Sequence, residues 1–210
     1  MEIVVVEDHT LFRQMLIKLC NEDYNVVGEA ADGGEALSVC RKKKPEVVIM
    51  DIMIPEPDGI DVTKILLKEQ PGIRVLALSG HIDTFTVYRL LKSGVLGYVN
   101  KMSEPIEVVQ EAIKTVAEGK PYFTKQFAEV RDDLKQDPSS FQRILSDREL
   151  ELLPLFSRGL DNNAISDEVG LKPSTVLWHR RNIMKKLQIH ATTELMRYGI
   201  KNGFWHPETV

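Results

Sequence analysis

Val47-Val48-Ile49-Met50-Asp51 is a run of four apolar residues, three of them β-branched, that ends on a carboxylate. An apolar run this short and unbroken suits a strand buried on both faces, as in a parallel sheet covered by helices. Similar runs stand on either side of it: Ile3–Val6 and Val26–Glu29 before it, Val75–Leu78 and Leu96–Val99 after it. Each is followed by a turn and an amphipathic helical pattern. The first pattern carries Leu11, Phe12, Met15, Leu16 and Leu19 at helix spacing, and the last carries Ile106, Val109, Ile113 and Val116. This alternation predicts βαβ units and an α/β, doubly wound, five-stranded parallel sheet over residues 1–120.

After Gly119-Lys120-Pro121 the rhythm stops. Residues 121–143 are polar and charged, with Asp137-Pro138-Ser139-Ser140 as a breaker, and read as a linker that is helical in part around Lys125–Lys135. From Ser146 the pattern is helical throughout. Ser146 and Glu149 form a capping box, Asp161 can cap a second helix ending at Gly170, and Pro173 suits the first turn of a third running to about Leu187. A fourth spans about Thr192–Asn202, so residues 144–210 are expected to be a small all-α four-helix domain.

The chain has 210 residues, enough for two small domains each with its own core. No apolar run reaches the roughly 18 residues that span a bilayer, and Met1 leads straight into a strand-like stretch, so neither membrane insertion nor secretion is expected. Cys20 and Cys40 are too few for a disulfide framework or a zinc site and read as buried, reduced thiols. The net charge of −4 argues on its face against a nucleic-acid binder. The charge is unevenly divided, however. Residues 1–120 carry net −5, whereas Lys172–Lys201 hold seven basic side chains and one acid, Glu194, a candidate phosphate-binding face.

In open parallel sheets, ligands bind beyond the carboxyl ends of the strands. Glu7 and Asp8 follow the first strand, Asp51 the third, Ser79 the fourth and Lys101 the fifth. Three carboxylates so close repel one another unless a cation sits among them, and hard oxygen ligands suit Mg²⁺. Lys101 and Ser79 then supply donors to the oxygens of an anion, which equips the edge for phosphoryl transfer onto a carboxylate.

Val5-Val6-Glu7-Asp8-His9, Asp51-Ile52-Met53-Ile54-Pro55 with Asp58-Gly59, Leu78-Ser79-Gly80 and Gly97-Tyr98-Val99-Asn100-Lys101 resemble, in order and spacing, the motifs of the receiver domain of two-component response regulators. The resemblance implies a flavodoxin-like sheet of order 2-1-3-4-5, with Asp51 as phosphoacceptor from the phosphohistidine of a sensor histidine kinase. It further implies Mg²⁺ held by Glu7, Asp8, Asp51 and the main-chain carbonyl of Met53, and phosphoryl oxygens bound by Ser79 and Lys101. Tyr98 would be the aromatic that rotates inward when Ser79 moves. Many receivers place proline after the lysine, with a cis peptide; here Met102 follows, which leaves that loop's geometry open.

On the third helix of the C-terminal part, Arg181, Lys185 and Trp178 fall at about 140°, 180° and 200° from core-facing Val176, at about 100° per residue. Such a face is either a solvated surface or the second helix of a helix-turn-helix set in the DNA major groove. Leu145-Ser146-Asp147-Arg148-Glu149, Asn162 with Ile165, Thr175-Val176, His179, Asn182-Ile183-Met184 and Lys186-Leu187 resemble the LuxR-type helix-turn-helix of NarL/FixJ-type response regulators. The resemblance implies promoter binding as a homodimer when phosphorylated. The candidate DNA contacts are Lys172, Ser174, Thr175, Leu177, Trp178, Arg180, Arg181 and Lys185, and the last helix, with Leu195, Tyr198 and Gly199, is the candidate dimer surface. Where the family often has lysine, Leu177 stands beside Trp178; this pair can offer thymine methyl groups only apolar contact, and Trp178 is otherwise a packing residue.

The expected protein is therefore a cytoplasmic DNA-binding response regulator, not an enzyme. Two rivals remain. One is a constitutive DNA-binding protein whose receiver serves only dimerisation. The other is an aspartyl-nucleophile phosphatase, which needs a carboxylate where Met53 stands.

Overall fold

The structure, a computed structural model, describes residues 1–206; the last residues of the expected 144–210 domain lie outside them. The chain forms two compact units, Met1–Ile82 with Arg89–Glu129, and Asp83–Tyr88 with Val130–Val210.

The first unit holds β1 (Glu2–Val6), α1 (Thr10–Cys20), β2 (Asn25–Ala30), α2 (Gly33–Lys43), β3 (Val47–Asp51), α3 (Gly59–Glu69), β4 (Arg74–Ser79), the second half of α4 (Thr84–Ser93), β5 (Gly97–Asn100), α5 (Ile106–Ala117) and β6 (Tyr122–Phe123). It also holds the start of α6 (Lys125–Gln136). All strand pairs are parallel, in the order β2-β1-β3-β4-β5-β6. β1 and β3 are buried nearly throughout because both sheet faces are covered. Ile3, Val5, Ile49, Leu76 and Leu78 meet α1 and α5 on one face, while Val4, Val6, Val48 and Met50 meet α2 and α3 on the other. The sheet order reverses between β1 and β3, and that crevice is where such folds bind ligands.

The expected five strands are six. Tyr122 and Phe123 pair with Gly97 and Tyr98, extending the sheet past β5 with residues that the sequence places in the linker. A two-residue strand carries no readable period; the open edge of β5 recruits it because unpaired backbone groups there demand partners.

The second unit contains α7 (Phe141–Ile144), α8 (Asp147–Ser157), α9 (Asn162–Val169), α10 (Pro173–Lys186) and α11 (Thr192–Lys201). Ser146 and Glu149 close the capping box on α8, and Asp161 accepts the amides of Asn163 and Ala164 to start α9. Gly170 ends α9 with a left-handed φ of 66°, a conformation glycine adopts without steric cost, and Pro173 opens α10. Leu153, Phe156, Ile165, Val176, Ile183 and Leu195 form the buried interior of this unit.

Candidate functional site

Glu7, Asp51 and Ser79 stand at the carboxyl ends of β1, β3 and β4, each no more than 1% exposed, and Lys101 follows β5. The strands' parallel register brings them together, since every strand ends at the same edge of the sheet. Lys101 Nζ lies 2.6 Å from Asp51 Oδ2 and 2.8 Å from Glu7 Oε2. It also sits 5.0 Å from the centre of the Phe12 ring. Oxygens of Glu7, Asp8 and Asp51 all lie within 4.8 Å of one another. Burial pushes the Glu7 carboxyl up to about 7, with the neighbouring Asp51 charge adding to the rise and Lys101 opposing it. Burial pulls the Lys101 ammonium down, yet its bonds to Asp51 and Glu7 outweigh that and hold it above its ordinary value. The three carboxylates form a hard oxygen set of the kind Mg²⁺ takes, and their excess negative charge is only partly met by one ammonium.

The loop after Asp51 is fixed by its own chemistry. The Met53 amide donates to Asp51 Oδ1 at 2.9 Å, and Asp58 caps α3. At Gly59 a Cβ atom would come 2.2 Å from the Asp51 carbonyl oxygen, so only glycine allows α3 to start this close to Asp51. Asp58 is also held by Arg89 of α4, at 2.7 and 3.0 Å, and Arg89 reaches Asp61 at 3.2 Å. The Lys101–Met102 peptide is trans; Glu56–Pro57 is the cis bond among the described residues.

Ser79 Oγ donates to the His81 carbonyl at 2.7 Å and accepts the His81 amide at 3.1 Å. Tyr98, fully buried, donates its hydroxyl to the same His81 carbonyl at 3.2 Å. The ring is thus inward here while Ser79 is bonded to His81.

A further residue holds the acidic loop and is not signalled by any motif. Arg13 of α1 donates through Nη1 to the Glu7 carbonyl at 2.7 Å and the Asp8 carbonyl at 3.4 Å. Its Nε pairs with Glu29 at the end of β2, at 2.9 Å. A lone arginine on an amphipathic helix reads as a solvated charge, and the available signal was its place one turn after His9, the residue that caps α1.

In the second unit, Ser174, Trp178, Arg181 and Lys185 form an exposed stripe along α10, with Trp178 58% exposed and Lys172 exposed at the helix start. Thr175 and Leu177 are half-buried beside it. Arg180 is turned inward, which corrects its place among the DNA contacts. Its guanidinium donates to the Leu160 carbonyl at 2.7 Å and lies 4.8 Å from the Phe156 ring centre. At about 100° per residue Arg180 falls only about 40° from Val176, so its position already pointed to the core side. The expected dimer surface needs the same correction. Leu195 is fully buried, and Gly199 fits so closely against Ser157 that a Cβ atom would meet the Ser157 Oγ. Tyr198 is half-buried, its phenol pushed up to about 12 by burial. This face of α11 packs on α8, leaving Thr193, Arg197 and Ile200 exposed.

Residues 3–114 match the response regulator receiver domain family, and residues 143–199 match the LuxR family of bacterial regulatory proteins. Over 97% of its length the chain is 30% identical to the transcriptional regulatory protein DegU of Brevibacillus brevis, covering 94% of that protein. It is 34% identical to the oxygen regulatory protein NreC of Staphylococcus haemolyticus, with 96% and 97% of the two chains covered. Salmonella enterica serovar Typhimurium RcsB, solved on promoter P1flhDC with a phosphomimetic, is similar in fold, with a TM-score of 0.66 at 21% identity over 97% of this chain and 98% of that one. Both family models and relatives matched along nearly their whole length agree, and the chain belongs to the response regulators of the NarL/FixJ type, with a receiver domain and a LuxR-type helix-turn-helix.

Proposed function

We propose that Asp51 accepts a phosphoryl group from a phosphohistidine of a sensor kinase and that this controls promoter binding by α10. The observation that carries the reading is the buried Asp51 carboxylate, bonded to Lys101 at 2.6 Å and grouped with Glu7 and Asp8. In the transfer a carboxylate oxygen of Asp51 bonds to phosphorus while the P–N bond to histidine breaks, and the electron pair leaves with the imidazole, which takes up a proton. Lys101 neutralises charge on the phosphoryl oxygens, and Ser79 turns from His81 to donate to one of them. Glu7, Asp8, Asp51 and the Met53 carbonyl would hold Mg²⁺, which when bound supplies further neutralisation of the phosphoryl charge.

The proposed DNA contacts are Lys172, Ser174, Thr175, Leu177, Trp178, Arg181 and Lys185. Arg181 can reach a guanine or a phosphate, and Leu177 with Trp178 offers apolar contact to thymine methyl groups. The phosphorylated chain acts as a homodimer in the cytoplasm, and the exposed face of α11 is open to a second copy. A phosphatase reading lacks support, because Met53 stands where an acid/base carboxylate is needed. Labelling from a phosphorylated kinase or acetyl phosphate tests the reading. Mg²⁺-dependent labelling is expected in the wild type and lost in Asp51→Asn; undiminished labelling of that variant contradicts it.

A further inference from the structure

Phe127 is fully buried although the sequence places it in a polar linker. It lies near the start of α6, in the part of that helix that belongs to the first unit. Its ring centre is 5.0 Å from that of Tyr98 and 4.8 Å from that of Phe123. Phe123 is itself paired with Tyr98 across the β5–β6 ladder, and Asn100, two residues after Tyr98, faces Gln126 at 3.5 Å. Residues 122–127 thus close over Tyr98, the aromatic to which the receiver resemblance assigns the switch role. Aromatic pairs at these separations attract beyond simple burial, and packed rings cannot rotate past one another without one being displaced.

We propose that Phe127 is a positioning residue for Tyr98, making the seat of this ring and the docking of residues 122–127 on β5 a single equilibrium. Tyr98 cannot swing out of its site while Phe127 covers it, and Phe127 loses a packed ring neighbour when Tyr98 leaves. The link to Asp51 runs through one oxygen. Ser79 and Tyr98 both donate to the His81 carbonyl. When a phosphoryl group on Asp51 draws Ser79 away, the Tyr98 hydroxyl becomes more important to that carbonyl, and the inward ring gains in relative stability. Loading Asp51 therefore tightens the docking of residues 122–127. These residues lead directly into the segment from Val130 onward that belongs to the second unit. The coupling rests on the phosphoacceptor reading of Asp51 and adds to it the element that receives the signal.

Hydrogen exchange on the full-length chain, with and without acetyl phosphate and Mg²⁺, tests the coupling. Phosphoryl loading is read in parallel as a mass gain on the intact protein. In the wild type, exchange at the amides of residues 122–130 should slow severalfold on loading. Phe127→Leu should keep the fold and the loading but lose most of that slowing. Tyr98→Phe, which keeps the ring and removes only the hydroxyl, should lose it too. The 3-fluorotyrosine resonance assigned to Tyr98 should move on Phe127→Leu even without phosphodonor, a signature that mere loss of stability would not give. Loading with no slowing in the wild type, or a Phe127→Leu variant that matches the wild type in exchange and resonance, overturns the coupling and leaves Asp51 as phosphoacceptor standing. A wild type that never gains a phosphoryl group overturns both.

Discussion

Among the described residues Lys101 is the one cation bonded to two buried carboxylates, Glu7 and Asp51, and removing it leaves both facing each other without a counter-charge. Breaking one side of such an arrangement costs about 3–5 kcal/mol. Lys101→Met should therefore lower stability by about that amount in chemical denaturation at pH 7 without divalent cations. Arg13 acts one layer further out, through the Glu7 and Asp8 carbonyls. Outer partners of metal ligands typically change affinity by about 10–100-fold, so Arg13→Gln should weaken Mg²⁺ binding about tenfold in a titration, with its secondary structure retained. The difference in legibility between these two residues is physical. Lys101, like Glu7, Asp51 and Ser79, lies at or just beyond the end of an apolar strand, and strand ends converge by the construction of the fold. Arg13 acts through main-chain oxygens, which leave no mark on the sequence. Arg180, Leu195 and Gly199 show the reverse failure: residue type alone does not say which face a neighbour covers, and for Arg180 the helical position, about 40° from Val176, was the better guide.

Among the elements, strands β1 to β5 and helices α8 to α11 follow from periodicity and capping, because each has enough residues to show a period or a cap that names its start. β6 and the seat of α6 did not follow, since two strand residues show no alternation and the burial of Phe127 depends on what β5 and Tyr98 offer it. The capping box of α8 carries more than its local bonds, because Lys186 at the end of α10 donates to the same Glu149 oxygen at 2.7 Å. Burial pushes the Glu149 carboxyl up, but Lys186 and the Ser146 donors outweigh that and hold it below its ordinary value of 4.5. A carboxyl held low in the folded state stabilises the fold above its unfolded pKa, and that contribution fades as the pH falls through its folded one. Glu149→Gln should thus cost about 1–2 kcal/mol at pH 7. In denaturation series the gap to the wild type should shrink below about pH 4, and a gap constant from pH 3 to 7 would contradict this account.

For the whole molecule, the net charge of −4 hides a division of labour. The acidity belongs mainly to the first unit, where part of it builds the carboxylate cluster of Glu7, Asp8 and Asp51, while α10 and α11 carry the basic excess. DNA affinity should accordingly fall steeply with salt, and Lys185→Gln should reduce the slope of log K against log salt by about one per bound protomer. If phosphoryl transfer governs promoter binding as proposed, the chemical state of Asp51 sets the DNA affinity of the α10 stripe. The decisive measurement is binding of the full-length chain to a duplex it selects from a random-sequence pool, with and without acetyl phosphate and Mg²⁺. Tightening of about tenfold or more on loading is expected in the wild type, and none in Asp51→Asn. Equal affinity in the loaded and unloaded wild type would contradict the proposal.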